Sequence, residues 1–596
     1  MDFIADNGYN TLMLYIAWRV KIKSHPYPSE EEAYTAAEIR EMTAYGREKG
    51  LDVIPTTNLT YVTSLLKYDE LRQFLENGSR YWGASRGNFC LSNPDIYVFI
   101  GNYLEELAEL VPSGYFHIGG DEAWDTGFCK KCRGNDFNFQ KEENLYLSFI
   151  LACCDIVRKK LGRRVIMWDD MFEYYPDILT KIPNDVIMAH WQYQEDVSCS
   201  MGHFGNRKRE YTLKKYDQLG FSYLISPATY STANGRTFTE YAGDGKKLLG
   251  GIMTTWVTHM RFMYKVMPTI ASIGRFWASD GQTAEADCFR QAMTDLLGSG
   301  DEILINSIRT CTENQMKNLG SFGEAYMLTF DLEGLDYSEY ARQALVLSVL
   351  ERYRLEIKPL PGQYIVEELI LSLRFELAVF EIKRMIRNLL EKRSLQERPE
   401  DALAQLQARA DDYAQKWQQW RPGIEPNHIQ IKLNDFIDNM RNLLDKIASG
   451  NYLRILFNLP NVYGSMMTTL SLESNGMETI VAQGVFKGVS MKQSYFERFF
   501  LLDSDLAPST LRIATHGYGG QGVCYAAAVI EGKTYGPEKV SASGKVVNPK
   551  FILNDDCTTC WMGEPDAEKV WRNRKLFDEI SFLKVTMAES TEKSVG

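Results

Sequence analysis

Long apolar runs are missing from this chain. No stretch is long enough to cross a bilayer as a helix, so no membrane partner is expected. The residues after Met1 lack the basic-then-apolar pattern of a secretory leader, and the expected location is cytoplasmic. Basic charge is in deficit: 66 Lys and Arg stand against 78 Asp and Glu, a net charge of −12, with a pI near 5.4. Nucleic-acid phosphates call for a basic face, which excludes nucleic acid as the expected partner. The 11 cysteines are odd in number and scattered, unlike a disulfide framework. Internal repeats and low-complexity tails are also missing. What remains is ordinary globular material, 45% hydrophobic and 24% charged over 596 residues. That is enough for about three or four domains with sizeable cores.

The most informative stretch is Phe116-His117-Ile118-Gly119-Gly120-Asp121-Glu122-Ala123-Trp124. It follows Tyr115 in an apolar run and reads as a strand leading into a loop. Two glycines let the backbone turn or approach a ligand closely before two adjacent carboxylates. The C-terminal end of a strand is where a barrel enzyme keeps its catalytic groups. Neighbouring strand residues point to opposite sides, so Asp121 and Glu122 are expected in different environments, one ionised and one acting as an acid.

This segment resembles the His-x-Gly-Gly-Asp-Glu-x-Trp pattern of the family 20 glycoside hydrolases, the β-N-acetylhexosaminidases. His117, Gly119, Gly120, Asp121, Glu122 and Trp124 stand in register with it. The resemblance implies Glu122 as general acid and Asp121 as the group that orients the substrate's acetamido nitrogen and steadies its charge. The nucleophile is then the substrate's own 2-acetamido oxygen, the exception to the two-carboxylate scheme. The likeness extends from about residue 1 to about residue 280. Gly8–Ile16, Gly50–Pro55, Val165–Met171, Val186–Tyr193, Tyr223–Ala228 and Gly251–Trp256 are similar to barrel strands two, three, five, six, seven and eight. His25-Pro26 and Tyr34-Thr35 match the loop and helix start after strand two. Helical stretches such as 36–49, 95–110 and 144–161 lie between the strands, and this alternation argues for a parallel barrel without any family.

Trp168, Trp191 and Trp256 fall at predicted strand ends. A hexosamine pocket needs flat apolar walls for the pyranose C–H face, and the family builds its acetamido pocket from tryptophans at these strands. By the resemblance, His117 joins the substrate-binding set. Tyr193 or Tyr230 supplies the hydroxyl for the acetamido oxygen, with Tyr230 preferred because the family's tyrosine belongs on strand seven.

The chain also departs from the family. It begins at Met1-Asp2-Phe3 inside what corresponds to the first barrel helix, and the first strand, with its sugar-gripping arginine, has no counterpart. A truncated N-terminus is the expectation. Ala17-Trp18-Arg19 replaces an acidic position, Asn58-Leu59-Thr60-Tyr61-Val62 replaces a Gly-His, and Ser231 and Thr258 stand where acidic residues belong. Each lost charged hydrogen bond removes roughly 1.5–3 kcal/mol. Two alternatives to an active hexosaminidase therefore stay open: a weak or inactive sugar-binding relative, and a glycosidase of different sugar specificity.

Cys129-Lys130-Lys131-Cys132 and Cys557-Thr558-Thr559-Cys560 are CxxC pairs. A zinc site shared between them is disfavoured by their separation, and Cys129 with Cys132 is expected to brace the catalytic loop as a disulfide or as thiols. No metal and no cofactor is expected. Beyond residue 285 three helices stand out by apolar period: Val366 to Phe380, Leu403 to Trp420 and Leu433 to Ile447. From 452 the chain turns β-rich, with strands at Thr510–Ala514, Val523–Ile530, Phe551–Leu553 and Ile580–Met587. Trp561 and Trp571 are candidate sugar platforms or packing residues. The formal GxGxxG at Gly517–Gly522 reads as a β-turn, because no βαβ unit surrounds it.

The expected fold class is α/β. A (β/α)8 TIM-like barrel, incomplete at its N-terminus, spans 1–284, a helical bundle 285–450, and a jelly-roll-like β-sandwich 451–596. The expected activity is exo-acting, retaining, substrate-assisted hydrolysis of terminal β-linked N-acetylhexosamine, with a carbohydrate as partner.

Overall fold

The computed structural model describes the chain outside residues 17–18, 25–32, 61, 63–68, 77–86, 135–137, 198–207, 209, 244, 257–262, 314–336, 392, 396, 422–426, 460–465, 487–494, 503–507, 518–520, 554–558, 564–579 and 590–596. Ala17, Trp18, His25, Pro26, Tyr61, Thr258, Cys557, Trp571 and the centre of the glycine-rich turn lie outside the described residues. The chain divides into two compact units. The first is Met1–Gly78, Ser85–Asn318 and Val346–Ile370, and the second is Ser79–Ala84, Leu319–Leu345 and Leu371–Gly596.

The first unit is built on a 7-stranded parallel sheet in sequential order: β1 (Thr11–Tyr15), β2 (Asp52–Thr56), β3 (Tyr115–His117), β4 (Arg164–Trp168), β5 (Ile187–Trp191), β6 (Tyr223–Ser226) and β7 (Leu248–Gly251). Parallel neighbours need crossovers. Helices 36–48, 95–110, 139–155, 170–174, 212–219 and 232–242 supply them in turn. Thr35 starts the first of these with a capping box, its side chain accepting from Glu38 N while the Glu38 carboxylate accepts from Thr35 N.

The sheet curls around an apolar interior. Met13, Ile54, Tyr115, Ile166, Trp168, Ile187, Ala189, Trp191, Leu224 and Ile252 meet in one cluster, so every strand from β1 to β6 and the exit of β7 contributes. Valine, isoleucine and methionine dominate the central strands because both faces are covered. β1 and β7 are the ends of the sheet, and among the described residues they do not pair. The eight-stranded expectation is thus met by seven described strands. Strand eight, expected at 251–256, ends as a regular strand at Gly251. Gly250 lies at φ +144° there, and the register shifts opposite Tyr223 and Leu224. The ladder resumes at Thr254, whose N–H donates to Pro227 O at 2.9 Å.

Helices 285–297 and 302–312, expected to open a separate helical region at 285, belong to this first unit. Glu285 ties them back: its Oε1 accepts from Ser272 Oγ at 2.7 Å and its Oε2 from Arg309 at 2.6 Å.

The second unit contains helices 399–420 and 427–449 and a 10-stranded antiparallel sheet. Leu403, Leu406, Ala410, Tyr413 and Trp417 are buried on the first helix; Leu433, Phe436, Met440, Leu443 and Ile447 are buried on the second. Side chains from strands 452–458, 466–474, 510–517, 521–530, 560–562 and 581–589 share one core, among them Leu453, Leu470, Ile513, Val523, Met562 and Val585. Phe551–Leu553, expected as a strand, lies in a 3-10 turn at 549–553. Asn548 at φ +54° bends the chain, and Pro549 offers no N–H for a ladder. Gly517 ends one antiparallel strand and Gly522 lies in the next, so the GxGxxG is not a nucleotide-binding turn.

Candidate active site

β3 stops at His117, four positions before Asp121. Gly119 and Gly120 lie at φ +74° and +99°, and Glu122 follows at +47°. A Cβ at Gly119 would stand 2.7 Å from Asn58 Cα and 2.8 Å from Thr57 O. Only glycine lets the loop after β3 lie this close to the loop after β2. That approach sets the carboxylate's partner: Asn58 Nδ2 donates to Asp121 Oδ1 at 3.0 Å. Thr60 completes the clamp, its N–H donating to Asn58 Oδ1 at 2.9 Å and its hydroxyl to Asp121 O at 2.5 Å. From the other side, Tyr146 donates to Gly120 O at 2.7 Å.

Asp121 and Glu122 differ in setting, but not through the alternation of a strand. Asp121 is buried at 7% exposure, whereas Glu122 is half-buried. The left-handed turn at Glu122 separates them. That conformation costs a side-chain-bearing residue about 1–2 kcal/mol. Glu122 N donates to Asp170 Oδ2 at 3.0 Å, which ties the turn to the exit of β4. Next along, Trp124 is buried edge-on against Tyr174, with ring centroids 5.1 Å apart.

The aromatic residues fall in two linked groups. His117 and Trp168 are in contact, with ring centroids 4.4 Å apart. Trp191 lies 5.0 Å from Tyr193 at 32° between planes, and Tyr230 meets Tyr193 edge-on at 5.7 Å. Trp256 Nε1 donates to the Tyr193 hydroxyl at 2.8 Å while its ring stays 40% exposed. Trp168 and Trp191 share the interior cluster. Burial, helped by the Tyr230 and Asp121 charges, raises the Tyr193 hydroxyl. Tyr193 is therefore a neutral phenol in the neighbourhood of Asp121.

His117 is a satisfied core residue at one nitrogen: its Nδ1 accepts from Gly119 N at 3.1 Å. That fixes the proton on Nε2, which is buried without a hydrogen-bond partner among the described residues. Burial pushes this imidazole down to about 3. The unfolded chain takes up the proton near 6.5 and the folded chain does not. His117 therefore contributes stability fully above about pH 6.5, and the contribution falls as pH drops from there toward 3, by up to about 1.4 kcal/mol per pH unit. Urea unfolding of wild type and His117→Gln between pH 7.5 and 4.5 should show a shallower acid loss in the variant. Parallel curves would mean that His117 charges in the folded state.

Several groups at the site carried no sequence signal. Asn58 drew notice only for standing where a Gly-His was expected. Asp169, fully buried after β4, accepts at Oδ2 from His190 Nδ1 and from the Tyr216 hydroxyl, both at 2.6 Å. Ser231, the position expected to be acidic, caps helix 232–242 and donates to Glu313 at 2.5 Å. A carboxylate thus reaches the exit of β6 from a distant part of the chain.

A curled parallel sheet with carboxylates and aromatic rings gathered at the C-terminal ends of its strands is the layout of a barrel enzyme. Residues 4–206, which apart from 79–84 lie within the first unit, match the model of glycosyl hydrolase family 20, catalytic domain. The chain is 29% identical over 179 residues to a β-hexosaminidase of Porphyromonas gingivalis, a match covering 26% of this chain and 23% of that one. It is 24% identical over 307 residues to a β-hexosaminidase of Vibrio furnissii, covering 45% of each chain. Each match spans less than two thirds of the relative's length. Among solved structures, a family 20 exo-β-N-acetylglucosaminidase of Vibrio harveyi is similar with a TM-score of 0.40 and 19% identity, over 51% of this chain and 55% of that one.

Proposed function

We propose that the first unit hydrolyses terminal β-linked N-acetylhexosaminides with retention of configuration, using the substrate's acetamido oxygen as nucleophile. One observation carries the reading: a buried carboxylate oriented by Asn58 stands beside a half-buried one on a strained turn, at the strand ends where the aromatic rings collect. In this reading the acetamido oxygen attacks C1 as the C1–O bond to the aglycone breaks. Glu122 gives its proton to the leaving oxygen. Asp121 accepts the acetamido N–H and stabilises the positive charge that develops there. Water then adds to C1, Glu122 takes back a proton, and the oxazolinium ring opens. Trp168, Trp191 and Trp256 wall the sugar, and Tyr193 and Tyr230 offer hydroxyls to the acetamido oxygen. The names of the curated relatives, β-hexosaminidases, support this substrate class.

The test is a panel of nitrophenyl glycosides with and without the 2-acetamido group. Turnover should be confined to the N-acetylated sugars, and the first product should be the β-anomer. Equal turnover of glucoside and N-acetylglucosaminide would point to a different sugar specificity. Binding of GlcNAc without any turnover would point to the inactive relative.

A further inference from the structure

Four side chains outside the proposed catalytic pair converge in the first unit. Cys90 Sγ lies 3.6 Å from Cys129 Sγ and 3.6 Å from Cys132 Sγ. Glu76 Oε1 lies 3.3 Å from Cys132 Sγ. All four ligand atoms fall within 4.8 Å of one another. Glu76, Cys90 and Cys132 are buried, and Cys129 is partly so. A disulfide needs about 2.05 Å between sulfurs, so these are separate thiols. A tetrahedral zinc with Zn–S of about 2.3 Å and Zn–O of about 2.0 Å sets its ligands about 3.8 Å (S···S) and about 3.5 Å (S···O) apart. Those three separations lie within about 0.2 Å of the tetrahedral edges, and none of the six exceeds 4.8 Å.

We infer that Glu76, Cys90, Cys129 and Cys132 form a structural site for a thiophilic divalent cation, zinc by ligand type. Three sulfurs and one carboxylate oxygen complete a tetrahedron and leave no open position, which marks a structural site. The surrounding hydrogen bonds hold the ligands in place: Cys129 N donates to Glu76 Oε2 at 2.6 Å, and Cys132 N donates to Cys129 Sγ at 3.4 Å. Without a cation the Cys129 and Cys132 thiols stay protonated. Burial, with the Glu76 charge, pushes the Cys129 thiol up to about 11, and the Cys90 hydrogen bond with burial raises Cys132 further. Zinc binding would release these protons to solvent. The site replaces the expectation of a bare CxxC brace. It is also distinct from a zinc shared by the two CxxC pairs, since Cys560 lies in the second unit.

The consequence is mechanical. Glu76 and Cys90 belong to the loop after β2, which also supplies Asn58. Cys129 and Cys132 belong to the loop after β3, which carries Asp121 and Glu122. Consecutive turns relay the link, with Thr126 N donating to Ala123 O and Phe128 N to Asp125 O. The cation would fix these two loops to one another, whatever sugar the site accepts.

The test is metal content, read without reference to activity. Protein made in zinc-supplemented medium and purified under reducing conditions without chelator should hold about one zinc per chain by mass spectrometry. Cys90→Ser and Cys132→Ser should lose it, and Cys288→Ser, which alters a buried thiol elsewhere in the unit, should keep it. Chelation should lower the Tm of wild type on the order of 10 °C. Should the serine variants fail to fold, wild type alone decides. Cys90, Cys129 and Cys132 should resist alkylation until zinc is stripped, and cobalt substitution should give the charge-transfer bands of a tetrahedral thiolate site. Zinc-reconstituted wild type with no bound metal and freely alkylated thiols would overturn the proposal. So would a mass two hydrogens light with Cys129 linked to Cys132.

Discussion

Glu122→Gln is expected to lower turnover of an N-acetylhexosaminide with a poor, sugar-like leaving group by about 10²–10⁴-fold, the usual contribution of a positioned general acid. The same change should cost far less with a nitrophenolate leaving group, which departs without a proton. Glutamine keeps the shape of the side chain and leaves the backbone bond from residue 122 to Asp170 Oδ2 intact. The substitution therefore removes the proton and little else, and an unchanged Tm would confirm the separation. Unchanged turnover of the poor-leaving-group substrate would remove Glu122 from the role of acid.

The strands of the first unit were legible because parallel strands buried on both faces read as compact Val, Ile and Met runs between helical segments. The aromatic strand-end residues were legible for the same reason, since Trp168 and Trp191 follow such runs directly. The internal geometry of the acid loop was not. An Asp-Glu dipeptide after a strand invites the assumption of alternation, but the left-handed backbone at Gly119, Gly120 and Glu122 ends β3 early and turns the two carboxylates apart differently.

Partners drawn from distant chain segments were equally hidden. Asn58 reaches Asp121 only because Gly119 lacks a side chain, and Glu313 meets Ser231 only once helix 302–312 has packed. Cysteine spacing misled in the same way. It pairs Cys129 and Cys132 with each other or with the second CxxC, whereas the fold brings them Cys90 and Glu76, neither of which belongs to a local motif. Phe551–Leu553 has strand composition, and the backbone of Asn548-Pro549 overrides it.

Asp121→Asn should erase most of the preference for a thiazoline mimic of the bicyclic intermediate over GlcNAc, for a reason that the neighbouring hydrogen bonds make specific. A carboxylate can accept from Asn58 Nδ2 with one oxygen and from the ligand N–H with the other. An amide cannot do both. Asn58 Nδ2 faces the position of Asp121 Oδ1 at 3.0 Å, so the new amide must offer its oxygen there and turn its NH2 toward the ligand. A donor then meets a donor, and the negative charge opposite the developing cation is gone. Losing a charge-assisted bond of roughly 1.5–3 kcal/mol corresponds to about 10–10²-fold in Kd. The Asn58→Leu background supplies the control. With the enforcing donor removed, the amide at 121 is free to present its oxygen to the ligand, and Asp121→Asn should cost less there than in wild type. The difference measures the coupling between the two residues. Equal losses in both backgrounds would mean that Asn58 does not orient the group at 121. No loss of thiazoline preference in either background would mean that Asp121 does not face the acetamido nitrogen, and the nucleophile would then have to be sought among the protein's own carboxylates.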